Sequence, residues 1–400
     1  MTRRLFRLAL LTSCLAAIAV PAAAQQPGWM WMTDGSIFLG FNDQQRRFTD
    51  FTAWESQNWF MLTGDRDVAR GHVTLEGMLS LEPFTMRALG SPQVFQTGEA
   101  YHGAPLIDYQ HPHDLVMGLG AAYRLTRGGL TYSLGAYAVG APALGPTAFM
   151  HRESARDNPQ VPLAHHMLDS THITPGVVNG GVTFGKAMLE ASVFNGTEPN
   201  DNHTNIDRPA LNSWSARVSW RGGAWRAQAS GARIHDPETF EPFDVTRLTA
   251  SIEMNRTWLS KPMAATIAWG ENRDIHGRED GYLLEWDWRV LSAGSFYGRA
   301  ESVAKDILDL GTPSPPGFPD FHRISHVDAL TLGYLHDLPL GRLGRIGRIG
   351  LGADATAYII SNDLQDSYGA PHSFHVFVRW RPADDPMMKM MMPPNETMTR

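Results

Sequence analysis

Beyond a basic and apolar leader, the chain is dominated by short stretches in which apolar and polar residues alternate. They are joined by connections that run long, then short, then long again. Residues 72–82 show the alternation best. Val73, Leu75, Gly77, Leu79 and Leu81 fall on one face, and His72, Thr74, Glu76, Met78, Ser80 and Glu82 on the other. A period of two over this length describes a strand with one greasy and one wet face. Sixteen candidate strands follow: 36–42, 57–64, 71–82, 113–125, 130–140, 174–184, 187–194, 213–220, 224–234, 245–255, 263–270, 281–289, 295–303, 327–336, 348–359 and 372–380. Trp214, Ala216, Val218 and Trp220 alternate with Ser213, Ser215, Arg217 and Ser219; Phe374, Val376, Val378 and Trp380 form the apolar row of the last strand. So many amphipathic strands without a helical core predict an all-β fold. The expectation is one antiparallel transmembrane β-barrel of about sixteen strands (fourteen to eighteen).

The connections support this independently. Short ones carry turn residues, as at Thr126-Arg127-Gly128-Gly129, Gly185-Lys186 and Arg221-Gly222-Gly223. Each is expected to lie between two long ones, among them 83–112, 141–173, 195–212 and 304–326. Outer-membrane barrels have short periplasmic turns and long outer loops. A soluble β-sandwich has no reason to sort its loops by side, and no fixed-period blade motif favours a propeller.

Arg3, Arg4 and Arg7, the apolar run 8–20 and Ala22-Ala23-Ala24 read as a signal peptide over 1–24. Leu11-Thr12-Ser13-Cys14 also has the look of a lipobox, but the apolar run continues past Cys14 and ordinary cleavage explains the segment. Cleavage would remove the only cysteine and three arginines, taking the formal charge from −7 to about −10. An acidic, Trp-rich exported chain argues against nucleic acid as a partner. The partners expected are outer-membrane lipid, lipopolysaccharide and, during biogenesis, the barrel assembly machinery. The barrel is expected over 25–382, with a low-complexity periplasmic tail over 383–400.

Thirteen of the sixteen histidines fall in the expected outer loops or at their edges: His102, His111, His113, His151, His165, His166, His172, His203, His235, His276, His322, His326 and His372. Gln110-His111-Pro112-His113-Asp114 and the run from His165 to His172, with His166, Met167 and Asp169, concentrate imidazole, thioether and carboxylate. Imidazole with thioether suits copper; imidazole with carboxylate suits zinc, nickel or iron. Neither spacing matches a defined metal motif, and histidines that simply hydrogen-bond to shape the loops are the competing reading. In the tail, Met387, Met388, Met390, Met391 and Met392 offer soft donors for Cu(I).

The wet strand rows carry both signs: Glu76, Arg124, Arg217, Glu253, Glu285, Asp287, Arg289, Arg299, Glu301, Asp354 and Arg379. They are expected to line the lumen, and the absence of a basic ladder argues against strong anion preference. The third long loop, with Arg152, Glu153, Arg156 and Asp157, is a candidate constriction if it folds inward. Asp169-Ser170-Thr171-His172 contains the residue types of a hydrolase, though neighbours in sequence do not by themselves make a triad. Asn195-Gly196-Thr197 matches only the end of an outer-membrane phospholipase pattern.

Met78-Leu79-Ser80-Leu81-Glu82-Pro83, Gln96-Thr97-Gly98-Glu99, Gln110-His111-Pro112-His113-Asp114, Ser154-Ala155-Arg156-Asp157-Asn158-Pro159 and the block from His165 to Thr174 together resemble an uncharacterised family of Gram-negative exported β-barrel proteins. That family is often encoded near heavy-metal resistance systems. The resemblance implies an outer-membrane barrel and brings no catalytic residue. The leading expectation is a passive, porin-like channel with a possible copper link. The alternatives are an outer-membrane hydrolase and a structural or adhesive barrel with a closed lumen.

Overall fold

The computed structural model describes residues 28–238, 242–309, 323–339, 344 and 347–383. The expected signal peptide, His322 and the methionine tail lie outside the described residues. Sixteen antiparallel strands close into one barrel. In chain order they are β1 (Met30–Arg46), β2 (Thr49–Val68), β3 (Gly71–Leu79), β4 (Val116–Arg127), β5 (Leu130–Gly140), β6 (Thr174–Phe184), β7 (Ala187–Phe194) and β8 (Ser213–Gly222). The second half comprises β9 (Trp225–Ile234), β10 (Val245–Trp258), β11 (Lys261–Arg273), β12 (Arg278–Leu291), β13 (Gly294–Lys305), β14 (Ser325–Asp337), β15 (Arg348–Ile360) and β16 (His372–Arg381). Each strand pairs with its neighbours in sequence. The ring is sealed by β1 against β16, from Ile37 opposite Trp380 to Gln45 opposite His372.

All sixteen expected strands exist, but two expectations about the connections need correction. β1 and β2 run on past their apolar stretches and pair as far as Arg46 and Thr49, so their connection is Arg47-Phe48 and not a long loop. The polar run Asp43-Gln44-Gln45-Arg46 concealed this extension. Its inward members bond to loop atoms in the lumen, as when Gln44 Oε1 accepts from the Val94 amide at 3.1 Å. The link between β11 and β12 is also short, at residues 274–277. Residues 80–115, 141–173 and 195–212 do cluster at one end of the barrel, here termed the loop end. His113 belongs to the first of these segments and not to β4, because pairing with β3 begins at Val116.

Strand parity sorts the side chains. Leu134, Leu189, Val218, Ile252, Ile267, Leu284, Leu332 and Val376 point outward and are exposed on the barrel's outer face. Phe184, Trp220, Trp225, Trp258 and Phe296 ring the turn end, beside short hairpin connections. An apolar band with an aromatic girdle is the surface that a bilayer requires. Trp380 keeps its place in the apolar row but is covered, because Gly347 in the preceding connection packs against its indole. At the β4–β5 hairpin, Gly128 and Gly129 both take positive φ (62° and 81°), the backbone a tight two-residue turn needs.

The interior at the loop end is solid. Residues 80–115 and 141–173 fold into the barrel and bury Val94, Phe95, Leu163, Ala164 and Leu168 against Ala268, Leu283, Val303 and Ala329 of the wall. A second cluster joins Phe149, Met150 and Val161 to Trp59, Met78 and Met117.

Ile267 is the central residue of β11 and exposed on the outer face, whereas Ile275 sits in the short link at the barrel rim. Ile267→Arg is expected to cost about 2–4 kcal/mol of folding free energy in lipid vesicles, and Ile275→Arg about 0–1 kcal/mol. Reversible folding titrations into vesicles check the contrast.

Candidate functional site

Two features occupy the loop end: an ion-paired plug across the lumen and a nest of histidines above it. The plug is residues 141–173. Arg152, 1 % exposed, donates from Nε to Glu285 Oε1 of β12 (2.6 Å) and from Nη1 to Asp169 Oδ2 (2.6 Å). Glu285 also accepts from Ser154 Oγ (2.9 Å) and from Arg299 Nε of β13 (3.1 Å), and Arg299 Nη1 reaches the Gln160 carbonyl (2.8 Å). Further round the wall, Arg379 of β16 pairs with Asp157 and with Asp337 (2.6 Å). The near side is held by Thr147 to Glu253 (3.0 Å) and by the Gly145 amide to Ser230 (2.9 Å). The loop thus crosses the lumen from β9–β10 to β16.

Burial disfavours the Arg152 charge, but Glu285 and then Asp169 outweigh it and hold the guanidinium above its usual range. Burial likewise pushes Asp169 up, yet Arg152 and His165 hold it well below the carboxylate range. Asp157 behaves the same way beneath Arg379 and Arg156. Buried pairs of this kind are weak evidence of net stability, but removing one member leaves an uncompensated charge.

All eleven strand residues expected to line the lumen stand in the inward rows, in two settings. Glu285, Asp287, Arg299, Glu301, Asp354 and Arg379 are buried beneath the plug, so they do not border an open path there. Arg379 and Glu301 bond the loop directly, the latter through the Ala164 amide (3.0 Å). Asp354 is tied to His375 (2.6 Å) and Tyr297 (2.9 Å). Glu76, Arg124, Arg217, Glu253 and Arg289 are more accessible, with Arg217 clamped to Glu190 through two contacts (2.9 and 3.2 Å).

The nest assembles histidines from three loops. Ring centroids of His113 and His172 lie 5.5 Å apart, His165 and His172 5.2 Å, His165 and His166 5.4 Å, and His111 and His203 5.4 Å. Each ring is oriented by an oxygen. His113 Nδ1 meets Glu82 (2.8 Å), His165 Nδ1 meets Asp169 (2.7 Å), and His172 Nδ1 meets the Asp169 carbonyl (2.8 Å). The Nε2 atoms of His113 and His172 are buried without a hydrogen-bond partner among the described residues. A cavity of about 20 Å³ lies here, bordered by Glu99, His111, His113, His165, His172 and Glu198. That is room for one or two waters.

Burial holds the His166 imidazole down to about 4, against the opposing pull of Glu99, and takes His151 to about 4 with help from Arg381. His172 is driven well below its usual range by burial, then by His165 and His113. Glu82 outweighs burial at His113 and raises it.

Three expectations change. Met167 does not join the histidines, because its sulfur packs against Gly281 in the wall. Asp169 is committed to Arg152 and His165. The run 169–172 forms no triad, since Ser170 Oγ accepts from Arg247 (2.9 Å) and His172 Nε2 meets no hydroxyl among the described residues. Glu99, Glu198 and Glu238, which approach His166, carried no signal in the sequence because each lies on a different loop.

No protein-family model matches the sequence, and no curated relative matches it. Among solved structures the barrel is similar to outer-membrane expressed OmpT of Vibrio cholerae, with TM-score 0.50 and 10% identity, over 90% of this chain and 99% of that one. It is also similar to the outer membrane channel DcaP of Acinetobacter baumannii, with TM-score 0.50 and 10% identity, over 89% of this chain and 98% of that one. The chain therefore shares the closed antiparallel β-barrel fold of these outer-membrane proteins.

The His151 ring packs edge-on to Trp59, with centroids 4.6 Å apart. Its folded value near 4 lies below the unfolded value of about 6.5, so the unfolded state binds more protons between the two and stability falls as pH drops through that window. His151→Phe keeps the aromatic contact and removes this proton uptake. The variant is expected to match wild type at pH 7.5 and to retain a higher thermal unfolding midpoint at pH 4.5, measured on folded protein in detergent. His113 shifts the other way but is common to both proteins, so their difference isolates His151.

Proposed function

We propose that this chain is an outer-membrane channel for small hydrophilic solutes, gated by residues 141–173. The observation that carries the reading is the pairing of an apolar outer face with a wet lumen crossed by one loop, which ion pairs tie to β12 through Arg152 and to β16 through Arg379. Cavities beside the plug measure only about 20–40 Å³, which admits water and little else, so passage requires the loop to yield. The accessible charges beside it have both signs, which favours weak ion selectivity. Export through the leader, insertion by the barrel assembly machinery and contact with lipopolysaccharide follow from this location. Metal handling is a separate proposal, developed below.

Planar-bilayer recording on the full-length folded protein tests the channel. Wild type is expected to show small, infrequent and weakly selective openings. Excising residues 148–160, with heat-modifiable gel mobility confirming a folded barrel, is expected to raise conductance several-fold. No openings above background from either protein would overturn the channel in favour of a sealed structural barrel.

A further inference from the structure

We propose that His166, Glu198 and Glu238 form a binding site for one borderline divalent cation of the zinc class, at the mouth of the barrel. The nearest ligand-type atoms of the three residues all lie within 4.8 Å of one another. His166 Nδ1 stands 3.6 Å from Glu198 Oε1 and 3.9 Å from Glu238 Oε1. Donors about 2.1 Å from a single zinc ion are about 3.4 Å apart at the tetrahedral angle, so only small movements separate this arrangement from coordination.

The ring is already set for the task. His166 Nε2 lies 3.2 Å from Glu99 Oε1, and Glu99 also accepts from Gln110 Nε2 (2.6 Å) and from the His111 amide (2.7 Å). A carboxylate with that many donors is ionised, so His166 Nε2 carries the proton and Nδ1 presents its lone pair to Glu198 and Glu238. A carboxylate behind a histidine with its other nitrogen facing the ion is the usual outer-shell support of a protein metal site. Two carboxylates facing an imidazole lone pair repel unless a proton or a cation stands between them.

The surroundings fit a preformed site. The Glu198 amide donates to the Pro237 carbonyl (2.9 Å), which fixes the two carboxylate-bearing loops together next to Glu238. His166 is 9 % exposed while Glu198 and Glu238 are 19 % and 15 % exposed, so an ion can enter from the loop end. Arg247 lies within electrostatic reach of both glutamates, and Lys305 within reach of Glu99 and His166. These cations offset part of the negative charge when the site is empty and weaken the binding that bare carboxylates would give. One imidazole with carboxylate oxygens and no thioether favours zinc over Cu(I). The inference holds independently of conduction through the lumen.

Zinc titration calorimetry on untagged, full-length protein folded in detergent is the test. One ion per chain is expected, with micromolar or tighter affinity. His166→Ala and the double variant Glu198→Gln with Glu238→Gln are each expected to weaken it at least about 100-fold. Glu99→Gln should weaken it about 10–100-fold as a positioning residue. The pair His113→Ala with His172→Ala should leave affinity within about twofold, since those rings face the neighbouring cavity. Cobalt substitution adds a readout of the donor set, for which X-ray absorption should show one imidazole with oxygen neighbours. Absence of binding, wild-type affinity in the glutamate double variant, or loss only on changing His113 and His172 would overturn the assignment. So would sulfur or several imidazoles in the metal's first shell. Gel mobility and circular dichroism of each variant separate loss of the site from loss of the fold.

Discussion

Closure of β1 on β16 is the constraint from which the rest of the molecule follows. Hydrocarbon offers no partner to a backbone amide or carbonyl, so a sheet in lipid is stable only when its two edges meet. The pairing from Ile37–Trp380 to Gln45–His372 meets that demand. It also sets the outer face, because parity then directs Ile267, Leu284 and Val376 to lipid with no further choice.

Closing sixteen strands leaves an interior too wide for wall side chains alone to fill. Residues 80–115 and 141–173 fill it here, and the filling dictates the electrostatics. Wall charges that would otherwise face water are buried by the loop, and several take a partner on it: Glu285 takes Arg152, Arg379 takes Asp157, and Glu301 takes the Ala164 amide. Such pairs specify one path for the loop more than they stabilise it, since desolvation offsets much of the Coulombic gain. The same packing carries the loop's histidine-rich end to the barrel mouth, where segments 80–115 and 195–212 and Glu238 meet it. The candidate cation site therefore depends on the plug: Arg152 on Asp169, the Asn272 side-chain amide on the His166 carbonyl (3.0 Å) and Leu168 packed on the wall together anchor the short helix His165–Leu168 that bears His166.

Much of the wall was legible in the sequence, because a strand's two faces are written locally in a period of two. Leu130–Gly140, Thr174–Phe184 and Ala187–Phe194 begin and end where the alternation does. The reading fell short where the inward and outward residues were both polar, as at Asp43–Arg46, whose partners in the lumen lie far away in sequence. It also placed His113 at a strand edge, since alternation continues through Ser80 and Glu82 after β3 has stopped pairing.

The sequence by itself determined the fold class, the inward and outward rows and the richness of the loops in histidine, because each depends on residues a few positions apart. Only the tertiary structure decided that Glu285 is buried and not bathed in a pore, and that Met167 turns to the wall. Only it brought Glu198 and Glu238 to His166, while Glu99 locked the opposite ring nitrogen. These are encounters between four separate loops, and no local pattern encodes them. They arise because a closed barrel forces its long connections to share one mouth.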